Sequence, residues 1–344
     1  VIEIDGSFGE GGGQIVRSSL ALACVAKTPI RITNIRAGRK RSGLLRQHLT
    51  CLRAAAEISG AAVTGDQLGS TTATFEPGTI QSGCYRFSIS TAGSAALVAQ
   101  TVLPALMLAE GSSDVTFTGG THNPLSPPFE FLQKTFLPQL SRMGPAVEAE
   151  LLSYGFFPAG GGEFRLKIDP VAKLKNLQLT ERANFTAKRV TAIVSQLSPS
   201  VAERECETIR RRTGWDAKSF RTIEVAKPVG LGNVVLIELE TPQITEVIIG
   251  YGKAGLRAEQ VARSVVRDAR SYIASEVPVG EYLADQLLLP MGLSAAHGET
   301  SQFRTVQPSL HTTTHVELLK TFLPIEIDIK EDVKDQFLIT VRPR

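Results

Sequence analysis

The segment Gly6-Ser-Phe-Gly-Glu-Gly-Gly-Gly-Gln14 is a glycine-rich turn that runs into an apolar helix predicted over Ile15–Val25. Glycine lets the backbone approach an anion closely, and a helix N-terminus offers free N–H donors and a partial positive charge. Further on, Ile35-Arg-Ala-Gly-Arg-Lys-Arg-Ser-Gly43 gathers Arg36, Arg39, Lys40 and Arg41 with no acid among them. Together these read as a site for a polyphosphate, with Gly38 and Gly43 favouring backbone wrapped around an anion; the alternative is a solvated basic loop. Glu10, Gln14 and Arg17 are spaced four and three apart, so they share a face if the helix begins near Glu10. A Glu among anion-binding N–H groups calls for a divalent cation between them. Otherwise the trio is the polar surface of a capped helix. The run is neither GxxxxGK[ST] nor GxGxxG, because Gln14 stands where the last glycine would be.

Other positions repeat this polar facing. Gln100 is the one long polar side chain in an apolar helical stretch, and a buried Gln needs a partner, either backbone or a cleft. Tyr282, Asp285 and Gln286 form an i, i+3, i+4 face that corresponds to the Gln14/Arg17 face. His311 and His315 are an i, i+4 pair in His-Thr-Thr-Thr-His. Zinc proteases with that spacing also need a Glu that is absent. A neutral imidazole can act as a nucleophile; capping or packing is the plainer role for His311.

These groups sit on a recurring order of elements. A glycine turn, a helix to Ala26, a strand Ile30–Ile35, a helix Leu44–Ser59 and strands Thr72–Phe75 and Tyr85–Ile89 form the first unit. The second takes Ser90–Ser94 as its turn, then helix Ala95–Ala109, strand Val115–Thr118, a helix opened by Pro127-Pro-Phe, and strands Val147–Leu152 and Glu163–Ile168. The third opens at Pro278–Tyr282, with helix Leu283–Leu293, strand Ser301–Val306, helix His311–Lys320 and strands Ile325–Ile329 and Gln336–Val341. Between the second and third lies an α/β segment predicted to be inserted where a hairpin returns. The expected architecture is α/β: a large domain, 1–179 and 277–344, of three repeated units with two helices and a small sheet each, carrying a smaller α/β domain at 180–276.

At 344 residues the chain exceeds one ordinary core. A net charge of +3, from 37 basic and 34 acidic residues, excludes a bulk polycation, so any phosphate or RNA site must be a local patch. No apolar run is long enough to span a bilayer, and no signal segment is expected. The four cysteines lie far apart with no CxxC pair, which points to free thiols and a reducing compartment.

Gly9-Glu-Gly-Gly-Gly-Gln-Ile-Val-Arg17, Ile35–Arg39 with Gly43-Leu-Leu-Arg-Gln-His-Leu49, Phe157-Pro-Ala-Gly-Gly-Gly162, Gly280-Glu-Tyr-Leu-Ala-Asp-Gln-Leu287 and Pro308-Ser-Leu-His311 resemble, in order, the RNA 3'-terminal phosphate cyclase family. The resemblance spans essentially the whole chain. It implies three α/β units with an inserted domain of thioredoxin-like topology, and ATP-dependent conversion of an RNA 3'-phosphate into a 2',3'-cyclic phosphate through a covalent histidine–AMP. It implies His311 as the nucleophile, Arg17, Arg36, Arg39, Gln47 and Gln100 on the ATP phosphates, and Glu10 as ligand of Mg or Mn. Tyr282 and Pro127 would sandwich adenine, with Asp285 and Gln286 beside them. The expected partners are ATP and RNA bearing a 3'-phosphate, in the cytoplasm and away from membranes. Two rival readings are a non-catalytic cyclase-like protein of ribosome assembly and an enzyme of the carboxyvinyl transferase type.

Overall fold

The computed structural model describes residues 1–344. The first sheet is built from β1 (Ile2–Asp5), α1 (Gly13–Ala26), β2 (Ile30–Thr33), α2 (Arg46–Ser59), β3 (Ala62–Thr64) and β4 (Ala73–Glu76). The second follows as β5 (Cys84–Ser88), α3 (Ala95–Leu106), β6 (Ser113–Gly119), α4 (Phe129–Phe131), a π turn at Leu132–Phe136, α5 (Leu137–Arg142), β7 (Ala146–Ser153) and β8 (Gly162–Asp169). Then come β9 (Gln178–Leu179) and a segment containing β10 (Ala187–Ser195), α6 (Ser200–Thr213), β11 (Phe220–Glu224), β12 (Gly232–Glu240), β13 (Thr245–Tyr251) and α7 (Ala258–Ser275). The chain ends with α8 (Glu281–Ala295), β14 (Ser301–Thr305), α9 (Leu310–Phe322), β15 (Ile325–Val333) and β16 (Gln336–Pro343).

The sheet orders are β1-β2-β4-β3, β5-β6-β8-β7 and β9-β14-β16-β15, each with a parallel first pair and antiparallel pairs thereafter. A parallel pair needs a crossover, and α1, α3 and α8 supply it. Strand burial follows the pleat: Ser113, Val115 and Phe117 of β6 point inward while their neighbours are half-covered. Ser94 caps α3 by accepting the Leu97 N–H at 3.3 Å, and Ser309 caps α9 through the Thr312 N–H at 3.3 Å.

The structure differs from the sequence expectation at three places. Tyr85–Ile89 does not close the first unit: β5 pairs parallel with β6 and opens the second sheet, while the first hairpin is β3 with β4. The inserted segment does not interrupt a hairpin. It lies between β9 and α8, inside the crossover of the third sheet, because β9 precedes it and pairs parallel with β14. The helix after Pro127 is broken into α4, the π turn and α5, with Pro138, which lacks an N–H, at the start of α5.

Two hydrophobic clusters hold the molecule together. The larger joins 69 residues across the three sheets and α1, α2, α3 and α8. The smaller joins 16, between α6, α7 and the sheet β11-β10-β12-β13. That sheet serves both: Val235, Ile237 and Leu239 of β12 enter the smaller cluster, whereas Val234 and Leu236 enter the larger. The alternation of a strand buried on both faces therefore docks the inserted segment firmly. Thr135 Oγ1 donates to the Thr245 carbonyl at 2.7 Å, Gln139 Nε2 to the Gln243 carbonyl at 3.0 Å, and Lys134 pairs with Glu238 at 2.6 Å across the same seam. Leu236→Ala should lower the unfolding free energy by about 2–4 kcal/mol, measured in urea. A loss below about 1 kcal/mol would mean that this face is not packed against the larger core.

Candidate active site

α1 begins at Gly13, with Gly12 at the N-cap, so Glu10 lies in the glycine turn, as expected, and the condition under which it would share a helix face with Gln14 and Arg17 is not met. No side chain caps α1 and no acid occupies its first turn, which leaves its N–H groups directed at whatever enters. The turn is held from the far end of the sequence: the Glu10 N–H donates to Thr314 Oγ1 of α9 at 3.0 Å. Gly9 adopts φ +55°, and a Cβ there would collide with that threonine, so the contact requires glycine. Gly13 is closely approached by His48 Nε2 and the Arg17 guanidinium, leaving no room for a side chain.

The central feature is a chain of hydrogen bonds between three helices. Gln14 Nε2, on α1, donates to Asp285 Oδ1, on α8, at 2.6 Å. Gln14 Oε1 lies 2.9 Å from His311 Nδ1, on α9. An ionised carboxylate only accepts, so it draws the NH2 end of the amide, and the amide oxygen is left facing His311. His311 Nδ1 must then carry the proton, and Nε2 keeps its lone pair. Burial lowers the His311 pKa from 6.5, reinforced by Arg17 and Arg39 and opposed by Asp285, so the ring is neutral near pH 7. Burial alone would raise Asp285, but the His315 hydrogen bond and charge, His311 and the Gln14 bond bring it below its ordinary value. His315 Nδ1 lies 3.0 Å from the Asp285 carbonyl and 3.1 Å from Oδ1, securing the acid from behind. The His311 side chain is 52% exposed; Ser309, not His311, caps the helix.

Around Nε2 stand the charges. Glu10 Oε1 is 3.7 Å from it and is also gripped by Arg39, whose guanidinium donates to the Glu10 carbonyl at 2.9 Å. Glu10 Oε2 is buried with no partner, an unmet acceptor beside the helix N-terminus. Arg36, at φ +55°, is locked into its own loop through the Arg41 and Gly43 carbonyls at 2.5 and 3.1 Å. Lys40 and Arg41 are exposed. Gln47 Oε1 accepts the Ser94 N–H at 2.7 Å, tying α2 to the loop before α3.

Gln14, Arg17, Gln100, Asp285, Gln286 and His315 line one cavity of about 70 Å³. Gln100 resolves its two alternatives in favour of the cleft, donating to Gln286 Oε1 at 2.5 Å. Pro127, half-buried before α4, and Tyr282, exposed on the first turn of α8, stand outside the lining. A drug-sized ligand needs several hundred Å³, so this cavity alone does not enclose one. A larger cavity of about 950 Å³, between Lys134 and the β10/β11 edge near Trp215, contains none of these residues. No cluster of three His, Cys, Asp or Glu side chains could hold a metal unaided. His48, Thr314 and His315 carry no role legible in the sequence, where the Thr-Thr-Thr-His run is the available signal for the last two. Cys24, Cys51 and Cys206 are buried free thiols, and Cys84 is an exposed one. No helix is long and apolar enough to cross a membrane.

The model of the family described as RNA 3'-terminal phosphate cyclase matches residues 8–329. A protein named RNA 3'-terminal phosphate cyclase from Koribacter versatilis is 46% identical over 332 residues, covering 96% of this chain and 92% of its own length. Proteins of the same name from Ectopseudomonas mendocina and Ralstonia nicotianae are 45% and 44% identical, covering 95% and 99% of this chain and 94% and 96% of theirs.

His48 links the site to stability. Its Nδ1 accepts the Leu45 N–H at 3.2 Å, and burial, with Arg17 and Arg36 close by, pushes its pKa down to about 3. Between pH 6.5 and 3 the unfolded chain therefore binds the extra proton, so stability falls as pH falls through that window. By pH 5 this one group should cost about 2 kcal/mol. Urea unfolding at pH 7 and 5 should show that loss in the native chain and not in His48→Gln; equal losses in the two would contradict it.

Proposed function

The chain belongs to the RNA 3'-terminal phosphate cyclase family, and we propose on that footing that it uses ATP to convert an RNA 3'-phosphate into a 2',3'-cyclic phosphodiester through a His311–AMP intermediate. The observation that carries this reading is the Asp285–Gln14–His311 chain, which presents a neutral, oriented Nε2 lone pair at the mouth of a cationic turn.

In the first step Nε2 attacks the α-phosphorus of ATP, the N–P bond forms, and the bond to the bridging oxygen breaks to release pyrophosphate. Nδ1 keeps its proton, and the positive charge that develops on the ring is stabilised through Gln14 by the Asp285 carboxylate. An oxygen of the RNA 3'-phosphate then attacks the same phosphorus; the N–P bond breaks and His311 returns to its neutral form. Finally the RNA 2'-hydroxyl attacks the activated 3'-phosphorus, losing its proton, and AMP departs. Each step is transfer at phosphorus, where orientation and charge neutralisation contribute most. Imidazole suits the first step because it is neutral near pH 7 without the strong pKa lowering a Lys would need.

Arg17, Arg36, Arg39 and the α1 N-terminus are assigned to the triphosphate, with Gln47 and Gln100 alongside. Tyr282 and Pro127 are assigned to adenine, with Asp285 and Gln286 next to them. Glu10 fits a single-ligand Mg or Mn site, because its buried Oε2 has no partner and nucleotide phosphates complete such coordination. That ion would supply neutralisation of phosphate charge. The matching orders of the three sheets support their reading as copies of one unit, and the inserted segment is assigned a thioredoxin-like topology without redox chemistry, Cys206 being its sole thiol. We read residues 1–179 and 277–344 as the large domain and 180–276 as the inserted one. The free thiols favour the cytoplasm. Retention of His311, Arg17, Arg36 and Arg39 speaks against a non-catalytic relative, and a carboxyvinyl transferase would need neither ATP nor RNA.

With ATP labelled at the α-phosphate and Mg or Mn present, the native chain should form an acid-labile, alkali-stable adduct that His311→Ala cannot form. An adduct persisting in His311→Ala would end the assignment. Gln14→Leu should slow adduct formation by about 10- to 100-fold, the scale for removing an orienting partner of a working imidazole, in stopped labelling at pH 7.5. An unchanged rate would detach Gln14 from the chemistry.

A further inference from the structure

The turn Phe157-Pro-Ala-Gly-Gly-Gly162, between β7 and β8, has no part in the chemistry assigned above. Its aromatic ring is not core: Phe157 is 65% exposed while adjacent Phe156 is 4% exposed. Three elements meet at this turn. Gly160 rests on the loop before α3, where an added Cβ would stand 3.0 Å from Ala92 Cα. Asn123 donates to the Ala92 carbonyl of the same loop, and Leu125, two residues on, is fully exposed. That loop is the one joined to α2 by Gln47 on the Ser94 N–H and by Arg46 on Ser90 Oγ at 3.2 Å.

From the other side the inserted segment closes in. A Cβ on Gly161 would stand 2.7 Å from Val229 Cγ1, and Gly230 abuts Ala159, so the β11–β12 connection packs on this turn. Val229 and Leu231 nevertheless remain 54% and 57% exposed. The result is an open apolar strip, Leu125, Phe157, Val229 and Leu231, that begins beside the α2 N-terminus and runs onto the inserted segment. Its edges are cationic: Arg46 is exposed and bonded to a hydroxyl rather than a carboxylate, and exposed Lys227 precedes Val229 by two positions.

We propose that Phe157, with Val229 and Leu231, is the platform on which the terminal bases of the RNA acceptor strand stack, and that Arg46 meets the phosphate between them. Single-stranded nucleic acid is held in this way, by rings under its bases and cations along its backbone, with little demand on sequence. Continuity points to the occupant: the strip starts at the loop that Gln47 and Arg46 hold, and His48, next to Gln47, lies against Gly13, one residue before the Gln14 that bonds His311. The apolar surface matches unstacked bases and its rim matches their phosphates. This inference rests on the reading that the chain acts on RNA 3'-ends. It gives the inserted segment a share in seating the acceptor and makes the preference one for single-stranded ends.

The test is a binding cycle by fluorescence anisotropy, using a 5'-labelled single-stranded oligoribonucleotide with a 3'-phosphate, intact or abasic at its last nucleotide. The native chain should bind the abasic strand roughly ten-fold more weakly. Phe157→Ala should bind the intact strand about ten-fold more weakly and show no further loss with the abasic one. Phe157→Tyr should match the native chain, and Phe157→Ala should take AMP from ATP alone at the native rate. An equal abasic penalty in the native chain and Phe157→Ala would overturn the platform. So would a parallel loss of AMP labelling in Phe157→Ala, which would make the turn a support of the nucleotide site. Failure of the native chain to label or cyclise would remove the cyclase reading, while the binding cycle would still decide the platform.

Discussion

An ionised carboxylate has acceptors and no donor, and the arrangement of this site depends on that fact. Asp285 takes the NH2 group of Gln14, Gln14 must then turn its oxygen to His311, and His311 must hold its proton on Nδ1. One acid, through one neutral amide, selects the tautomer of a histidine on a third helix. The amide also keeps the carboxylate from pairing directly with His311, so the ring is oriented without being held as an imidazolium. Burial and the two arginines push in the same direction. A direct Asp–His contact would orient as well but would raise the imidazole pKa, leaving less of the lone pair available near pH 7.

The fold makes such a chain possible by crossing elements from opposite ends of the sequence. α1 belongs to the first sheet unit, and α8 and α9 to the third, and α9 packs on both α1 and α8. Thr314 clamps the glycine turn from one side while Gln14 reaches across from the other. The inserted segment is part of this framework. Its sheet shares the larger core through Val234 and Leu236, and it enters within the crossover that leads to α8, so its docking bears on where Asp285 and Gln286 stand.

Much of this was legible in residue order. The helices carrying Gln14, Gln100, Asp285 and His311 are readable from apolar periodicity, but spacing leaves each of these polar residues a plainer role at a solvated face or a cap, and only the family resemblance gathers them into one site. The pairing of strands was less legible. Tyr85–Ile89 alternates like a hairpin strand, and alternation does not say which neighbour a strand takes; β9, two residues long, has no period at all. The spacing of Glu10, Gln14 and Arg17 offers one face only if a helix begins near Glu10, and it begins at Gly13 because Gly11 and Gly12 shape a turn. His315 escaped because its role is to meet Asp285 through space, and only the register of α9 against α8 reveals it. Spacing within an element is local information, whereas the tautomer of His311 is set by three helices at once.

The claim that Nε2 is the reactive nitrogen can be read directly from the AMP adduct. Protein labelled with 15N-histidine, loaded from ATP and examined by 15N–31P coupling, should show phosphorus bonded to His311 Nε2, with Nδ1 still bearing its proton. Phosphorus on Nδ1, or on any residue other than His311, would contradict the hydrogen-bond chain as the origin of the nucleophile.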